Sequence, residues 1–280
     1  MRHPAFRLIP ALLACLLLLA ACAGQQEALP DLSGLGAVTA VSREEGSGTR
    51  AEFERLTGSD AKGTDRIALS TEEVGKLVAA DENAIGYVSL QAAGSGAVKV
   101  LSVDGIDPAE SLEKNGSYPL CRNYYLAYSG TLMAAENDFL TYVLSAGQEV
   151  AAQSCLPVKK AASFLSDCSA GVITICGSSS AAPLLEALAK DYYTYNPNVE
   201  IQIQTTDSTS GLTAAIRGEC SLAMSSRELK DYESELLEAK CIAAEYIAVV
   251  VNPSNPLENL TTQQVKTIYD GGVSQWSDLT

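Results

Sequence analysis

The chain has 280 residues, 47% of them hydrophobic and 19% charged, which is enough for two lobes or one large domain with a substantial core. Its 19 Lys and Arg against 34 Asp and Glu leave a formal charge of −15, and a chain this acidic repels nucleic-acid backbones at long range. The one histidine, His3, lies in a segment read below as removed, so Ser-His-Asp hydrolysis, Cys-His chemistry and histidine-ligated zinc drop out.

Residues 1–21 have the pattern of an export signal. Arg2 and Arg7 give a positive start, and residues 8–21 are apolar apart from Pro10, a run too short for an ordinary membrane span. It closes on Leu19-Ala20-Ala21-Cys22, which resembles a bacterial lipobox. Cleavage there makes Cys22 the lipidated first residue, with residues 22–37 as a polar tether; the alternative is a plain signal with a chance cysteine. A lipid on Cys22 places the folded part outside the cell membrane, anchored to it. Loss of the two signal arginines takes the mature charge from −15 to −17. Beyond Cys15 and Cys22, six cysteines remain, and an even number in an exported chain reads as disulfides. No CxxC pair occurs, so a zinc ribbon is unsupported, and no cofactor is implied.

Short β-rich runs then alternate with helical patterns, as in an α/β fold. Strands are expected at residues 37–42, 84–89, 98–103 and 123–128, and helices at 49–56, 71–80 and 138–144. The second of these helices starts on a capping signature, Ser70-Thr71-Glu72-Glu73. A second unit begins near Ala170, with strands at 172–176, 199–205 and 221–224. Its helices fall at 181–193 and 210–217, and residues 246–251 form a continuous apolar run, as in a buried strand. Residues 261–269 read as the last helix.

Three segments share one design, a strand, a loop of small hydroxyl residues, then a helix. They are SREEGSGT at residues 42–49, GSSS at 177–180 and STSG at 208–211. Helix starts carry unpaired N–H groups and a partial positive charge, and small loop residues let an anion approach them. One such loop is ordinary capping, whereas three point to one anion site. Arg43 and Arg227 stand beside these loops, and a guanidinium can donate two parallel hydrogen bonds to an oxyanion. Glu45 or Glu228 could hold them as structural ion pairs, and Glu45 is the expected partner that orients Arg43. GSGT lacks the lysine and spacing of a Walker loop. Glu44 and Glu45 are adjacent on a loop and do not suit paired-carboxylate glycoside chemistry.

SREEGSGTRAEF (residues 42–53) closely resembles the central signature of the phosphate-binding proteins that serve phosphate ABC transporters. NAIGYVSL (83–90), Tyr118-Pro119-Leu120 and FLTYVLSAGQE (139–149) resemble that family's second half. GSSSAAPL (177–184), MSSRELK (224–230), IAVVVNPSNP (247–256) and residues 268–276 resemble its first half. The order of the halves is inverted, as in a circular permutant or in a piece of a tandem protein.

The resemblance implies a two-lobed periplasmic-binding-protein type II fold, a venus flytrap, apparently permuted. Carried onto this chain, lobe one is residues 119–245, and lobe two is residues 38–117 plus 246–280. All six mature cysteines then fall in lobe one, paired by expectation as Cys121–Cys155, Cys220–Cys241 and Cys168–Cys176. The family's anion contacts map onto Arg43, Ser47, Gly48, Thr49, Ser179, Ser180 and Thr209, with Arg227 as a further contact. Some members place an aspartate where Arg227 stands, as acceptor for the proton of hydrogen phosphate. Selection against sulfate then passes to another acceptor, such as Glu45 or Asp207, or weakens.

The implied function is capture of inorganic phosphate and its delivery to membrane ABC permease subunits, without catalysis, metal or nucleic acid. Rival readings are a binding protein for sulfate or molybdate, a phosphate sensor or interaction module, and an enzyme such as a phosphatase. No histidine, metal-ligand cluster or activated nucleophile supports the last.

Overall fold

The computed structural model describes residues 29–94 and 96–279. The signal segment, Cys22 and the first part of the tether lie outside the described residues.

Strand β1 (Thr39–Arg43) leads into α1 (Gly48–Thr57), whose start is capped by Ser47 and whose end is closed by left-handed Gly58. The short β2 (Arg66–Ala68) precedes α2 (Thr71–Ala79), capped by Ser70 with Glu72 and Glu73 in its first turn. Next come β3 (Ala84–Ser89), α3 (Leu90–Ala93), β4 (Lys99–Val103) and α4 (Pro108–Glu113), which has proline in its first turn. Strand β5 (Cys121–Tyr128), α5 (Ala134–Val143), α6 (Gly147–Ala151) and β6 (Leu156–Pro157) follow. The second unit runs β7 (Gly171–Ser178), α7 (Ala182–Tyr192), β8 (Val199–Thr206), α8 (Ser208–Ile216), β9 (Leu222–Ser225) and α9 (Asp231–Ser234). It continues into β10 (Glu238–Val251), β11 (Asn259–Leu260) and α10 (Thr262–Tyr269).

The strands join in the order β2-β1-β3-β10-β5-β9-β7-β8. The 14-residue β10 stands in the middle of that series and joins its two halves. Its first part pairs antiparallel with β5 and β6, and its second part pairs antiparallel with β3 and β4. The apolar run at residues 246–251 is therefore only the second part of a longer strand. Its first part, EAKCIAAE, alternates weakly and carries charge, so the hydrophobic signal did not extend to Glu238. The parallel pairs β1–β2, β1–β3, β7–β8 and β7–β9 put helix starts at the carboxyl ends of their strands, where α/β folds hold ligands.

The core has distinct parts. Around β5, β7 and α7 it is built from large side chains, among them Tyr124, Phe139, Tyr142, Leu185 and Tyr192. Around β1, β3 and α2 it is built from small ones, mainly valine and alanine, including Val41, Val74, Val78 and Val250. Phe53, Tyr87 and Tyr269 pack face and edge beside the latter, with Phe53 and Tyr87 stacked 3.9 Å apart. The segment before β1 pairs with the segment near the chain's other end. Val38 N–H donates to Ser274 O at 3.1 Å, and Trp276 N–H donates to Gly36 O at 3.1 Å.

The six described cysteines are free thiols, so none of the three expected pairings is formed. Cys176 is buried in one apolar cluster with Cys220, whereas its expected partner Cys168 is exposed on a loop. Cys241 stands on β10 opposite Tyr125, outside the apolar cluster that holds Cys220. Burial, and next the neighbouring Cys176 thiol, push Cys220 up to about 12.

Candidate functional site

Five hydroxyls from four separate segments form a continuous buried chain. Thr49, in the first turn of α1, donates to Ser180 Oγ at 3.2 Å. Ser180, in the loop before α7, and Ser178, at the end of β7, are 3.0 Å apart. Ser178 donates to Ser226 at 2.9 Å, just past β9, and Ser226 lies 3.3 Å from Ser208 at the start of α8. All five residues are buried. Residues 49 and 180 are far apart in sequence, and the sheet that links β1 to β7 through β3, β10, β5 and β9 brings their helix starts together. Three helices of nine to eleven residues therefore direct their N-terminal ends at one cluster of hydroxyls.

Glycines allow this approach. A Cβ on Gly48 would overlap Ser208 Oγ and lie 2.5 Å from Ser226 Oγ, so only glycine lets the α1 start meet α8. Gly46 adopts φ +98°, and its carbonyl accepts from Thr209 N at 3.2 Å and from Thr209 Oγ1 at 3.0 Å. These bonds tie the first loop to the third.

Of the residues expected at the site, Gly48, Thr49 and Ser180 meet in this cluster. Ser47 instead caps α1, accepting from Arg50 N at 3.3 Å. Ser179 turns away to α2, 3.3 Å from Thr71 Oγ1. Thr209 is taken up by Gly46 and Arg227, while its neighbour Ser208 enters the cluster. Arg43 is gripped by Glu44 through two 2.7 Å bonds and donates to Thr71 at 3.0 Å. The expected orienting partner was Glu45; the structure corrects this to Glu44, whose side chain folds back over the guanidinium. Arg227 binds Glu233 through bonds of 2.7 and 2.8 Å and donates to Thr209 at 3.0 Å. The side chain reaching the cluster from its segment is Ser226. Asp207 is spent on capping α8, accepting from Ser210 N at 2.9 Å.

Sequence reasoning missed Ser178, Ser208, Ser226 and, most of all, Arg122. Arg122 stands on β5 with its side chain fully buried, paired with Glu245 directly across on β10. Its Nε and Nη2 donate to Glu245 Oε2 at 3.1 and 3.0 Å, and Nη2 also donates to Tyr124 OH at 3.1 Å. Its Nη1 donates to Thr49 Oγ1 at 2.7 Å. Tyr124 in turn donates to the Ser180 carbonyl at 2.8 Å. Burial pushes the Glu245 carboxyl up, against the pull of Arg122. One legible signal is a lone charged residue, the arginine, in a largely apolar and aromatic strand, CRNYYLAY.

All three arginines are thus matched by a carboxylate, and each also donates to a threonine hydroxyl: Arg43 to Thr71, Arg122 to Thr49, Arg227 to Thr209. The surroundings offer neutral ion pairs, hydroxyl donors and helix starts. That combination suits a dehydrated oxyanion, because oriented dipoles act strongly where water is excluded. No group of metal-ligating side chains occurs among the described residues.

The profile of the PBP superfamily domain matches residues 26–146 and 162–280. The chain belongs to this superfamily and, within it, to the phosphate-binding proteins of phosphate ABC transporters, with the α/β fold of periplasmic binding proteins. Phosphate-binding protein PstS 2 of Streptococcus agalactiae is 38% identical over 262 residues, 88% of this chain and 89% of the relative. The crystal structure of a phosphate-binding protein of a phosphate ABC transporter from Streptococcus pneumoniae is 33% identical. It superposes with a TM-score of 0.65, covering 88% of this chain and all of the other. Phosphate-binding protein PstS of Pseudomonas aeruginosa is 32% identical over 164 residues, only 53% of this chain and 50% of the relative.

Proposed function

We propose that this chain is an extracytoplasmic solute-binding lipoprotein, anchored through Cys22, that captures inorganic phosphate and delivers it to an ABC permease without catalysing a reaction. The observation that carries the reading is the buried chain of five hydroxyls between three helix starts. The anion is held by the Gly48 backbone and by Thr49, Ser180, Ser178, Ser226 and Ser208. Arg43 and Arg227 brace the loops through Glu44 and Glu233. Lobe one is residues 119–245 and lobe two is residues 38–117 plus 246–280. Strand β10 crosses between them, and opening and closing is a ligand-driven population shift.

The half order is that of a circular permutant. Its support is the pairing of residues 36–38 with 274–276, which leaves the joint short, and the half-length match to the Pseudomonas relative. The streptococcal relatives match nearly end to end.

One observation favours testing a second anion. Of the carboxylates near the site, Glu44, Glu233 and Glu245 are each bonded to an arginine, and Asp207 is taken up by the backbone N–H and hydroxyl of Ser210. A hydroxyl either donates or accepts, so the cluster does not penalise sulfate as a carboxylate would. Titration calorimetry with phosphate, sulfate and molybdate decides the matter. Phosphate is expected to bind; silence with phosphate and heat with sulfate would replace it as the ligand.

A further inference from the structure

Arg43 and Arg227 stand at the edge of the hydroxyl cluster, while Arg122 reaches into it. Thr71, the threonine held by Arg43, leads only to Ser179, and Thr209, held by Arg227, leads to the Gly46 carbonyl. Thr49, held by Arg122, is itself the first member of the five-hydroxyl chain. Four of the five guanidinium hydrogens of Arg122 are used on Glu245, Tyr124 and Thr49. The fifth, on Nη1, stands beside Thr49 with no acceptor among the described residues. A buried guanidinium hydrogen is costly to leave unpaired. The guanidinium is also fixed in place, since Glu245 grips it from below and its carbon lies 5.0 Å from the Tyr124 ring centre. Glu245 accepts from Leu90 N at 2.5 Å as well, which ties the pair to the start of α3.

We propose that Arg122 is a cationic contact of the bound anion, directed by Tyr124 and Glu245, and that Glu245 sets the net charge that this contact presents. The inference rests on the phosphate-binding reading. Phosphate accepts from Nη1 beside Thr49, so the anion is bonded at once to the loops and to the β5–β10 pair. With Glu245 ionised the pair is neutral, and the site takes monobasic and dibasic phosphate with little bias. Loss of either partner leaves one uncompensated charge and biases the site by the anion's own charge.

The test is calorimetry with inorganic phosphate on the full mature chain, at one pH where phosphate is monobasic and one where it is dibasic. The readout is the ratio of the two affinities for wild type, Glu245→Gln, Arg122→Met and the double variant, which is uncharged in place of the pair and guards against misfolding. Glu245→Gln is expected to raise the preference for dibasic phosphate about tenfold, and Arg122→Met to lower it by a similar factor. The double variant is expected to return near the wild-type ratio with at least about tenfold weaker affinity for both forms, the loss of one charged hydrogen bond. A purely structural pair would move both affinities together, and unchanged ratios across the variants would overturn the proposal. Wild-type protein that binds no phosphate would instead refute the phosphate reading, and this inference with it.

Discussion

Two buried arginine–carboxylate pairs behave differently in this molecule. Arg227 and Glu233 are six residues apart, in one short segment that runs from the loop after β9 into α9, beside the exposed Tyr232 and Leu236. Arg122 and Glu245 are 123 residues apart and face each other across two central strands. Burial opposes ionisation of both carboxyls. At Glu233, Arg227 and the Lys230 N–H outweigh burial and hold the group below its ordinary value. At Glu245 burial wins, and the group is pushed up. An arginine partner alone therefore does not determine how a carboxylate titrates; the depth of the surrounding structure decides which contribution dominates.

The largest expected effect is on stability. Arg122→Ala leaves Glu245 buried without its cation and should cost about 3–5 kcal/mol in denaturant unfolding. Arg227→Ala leaves Glu233 with the Lys230 N–H and Tyr232, and should cost about 1–3 kcal/mol. Equal losses would erase the contrast.

Binding sharpens it next. Gly48→Ala drives a methyl group into Ser208 and Ser226 and should weaken phosphate binding at least about tenfold, since overpacking costs about 1–3 kcal/mol. Thr209→Ala, on the Arg227 side, should weaken it only severalfold. The reverse order by calorimetry would place the anion at the wrong end of the cluster.

The pH response should differ in sign. Glu233 is lowered, so its stabilisation is complete above the ordinary carboxylate pKa and is lost as pH falls through its folded value. Glu245 is raised, so its contribution is complete below the ordinary value and is lost as pH rises through the folded one. Stability curves of Glu233→Gln and Glu245→Gln should therefore depart from wild type in opposite directions. The smallest expected effect is at the α1 cap. Ser47→Ala should cost about 1 kcal/mol of stability and little affinity, since its hydroxyl is turned to Arg50 N.

Much of this is legible in the sequence alone. The strand at residues 84–89 and the helix starts at Thr71 and near Ser208 follow from apolar runs and caps. The SREEGSGT and GSSS loops named Gly48, Thr49 and Ser180, which lie within one turn of a helix start. Local chemistry of this kind is written in neighbouring residues. The partner of Arg43 was misassigned because Glu44 and Glu45 are equally near in sequence, and only the backbone turn at Gly46 selects between them. The cysteine pairing failed for a related reason. An even count says nothing about which thiols share a cluster, and Cys176 faces Cys220 because β7 and β9 run side by side.

By itself the sequence determined the α/β alternation, the small-residue helix starts and the family, because periodicity, caps and glycine positions are short-range and survive without knowledge of the fold. Only the tertiary structure decided which hydroxyls meet and that Arg122 belongs among them. Arg122, Glu245 and Thr49 share no local pattern, and their contact exists only because strand pairing closes distances of more than seventy residues into a few ångströms.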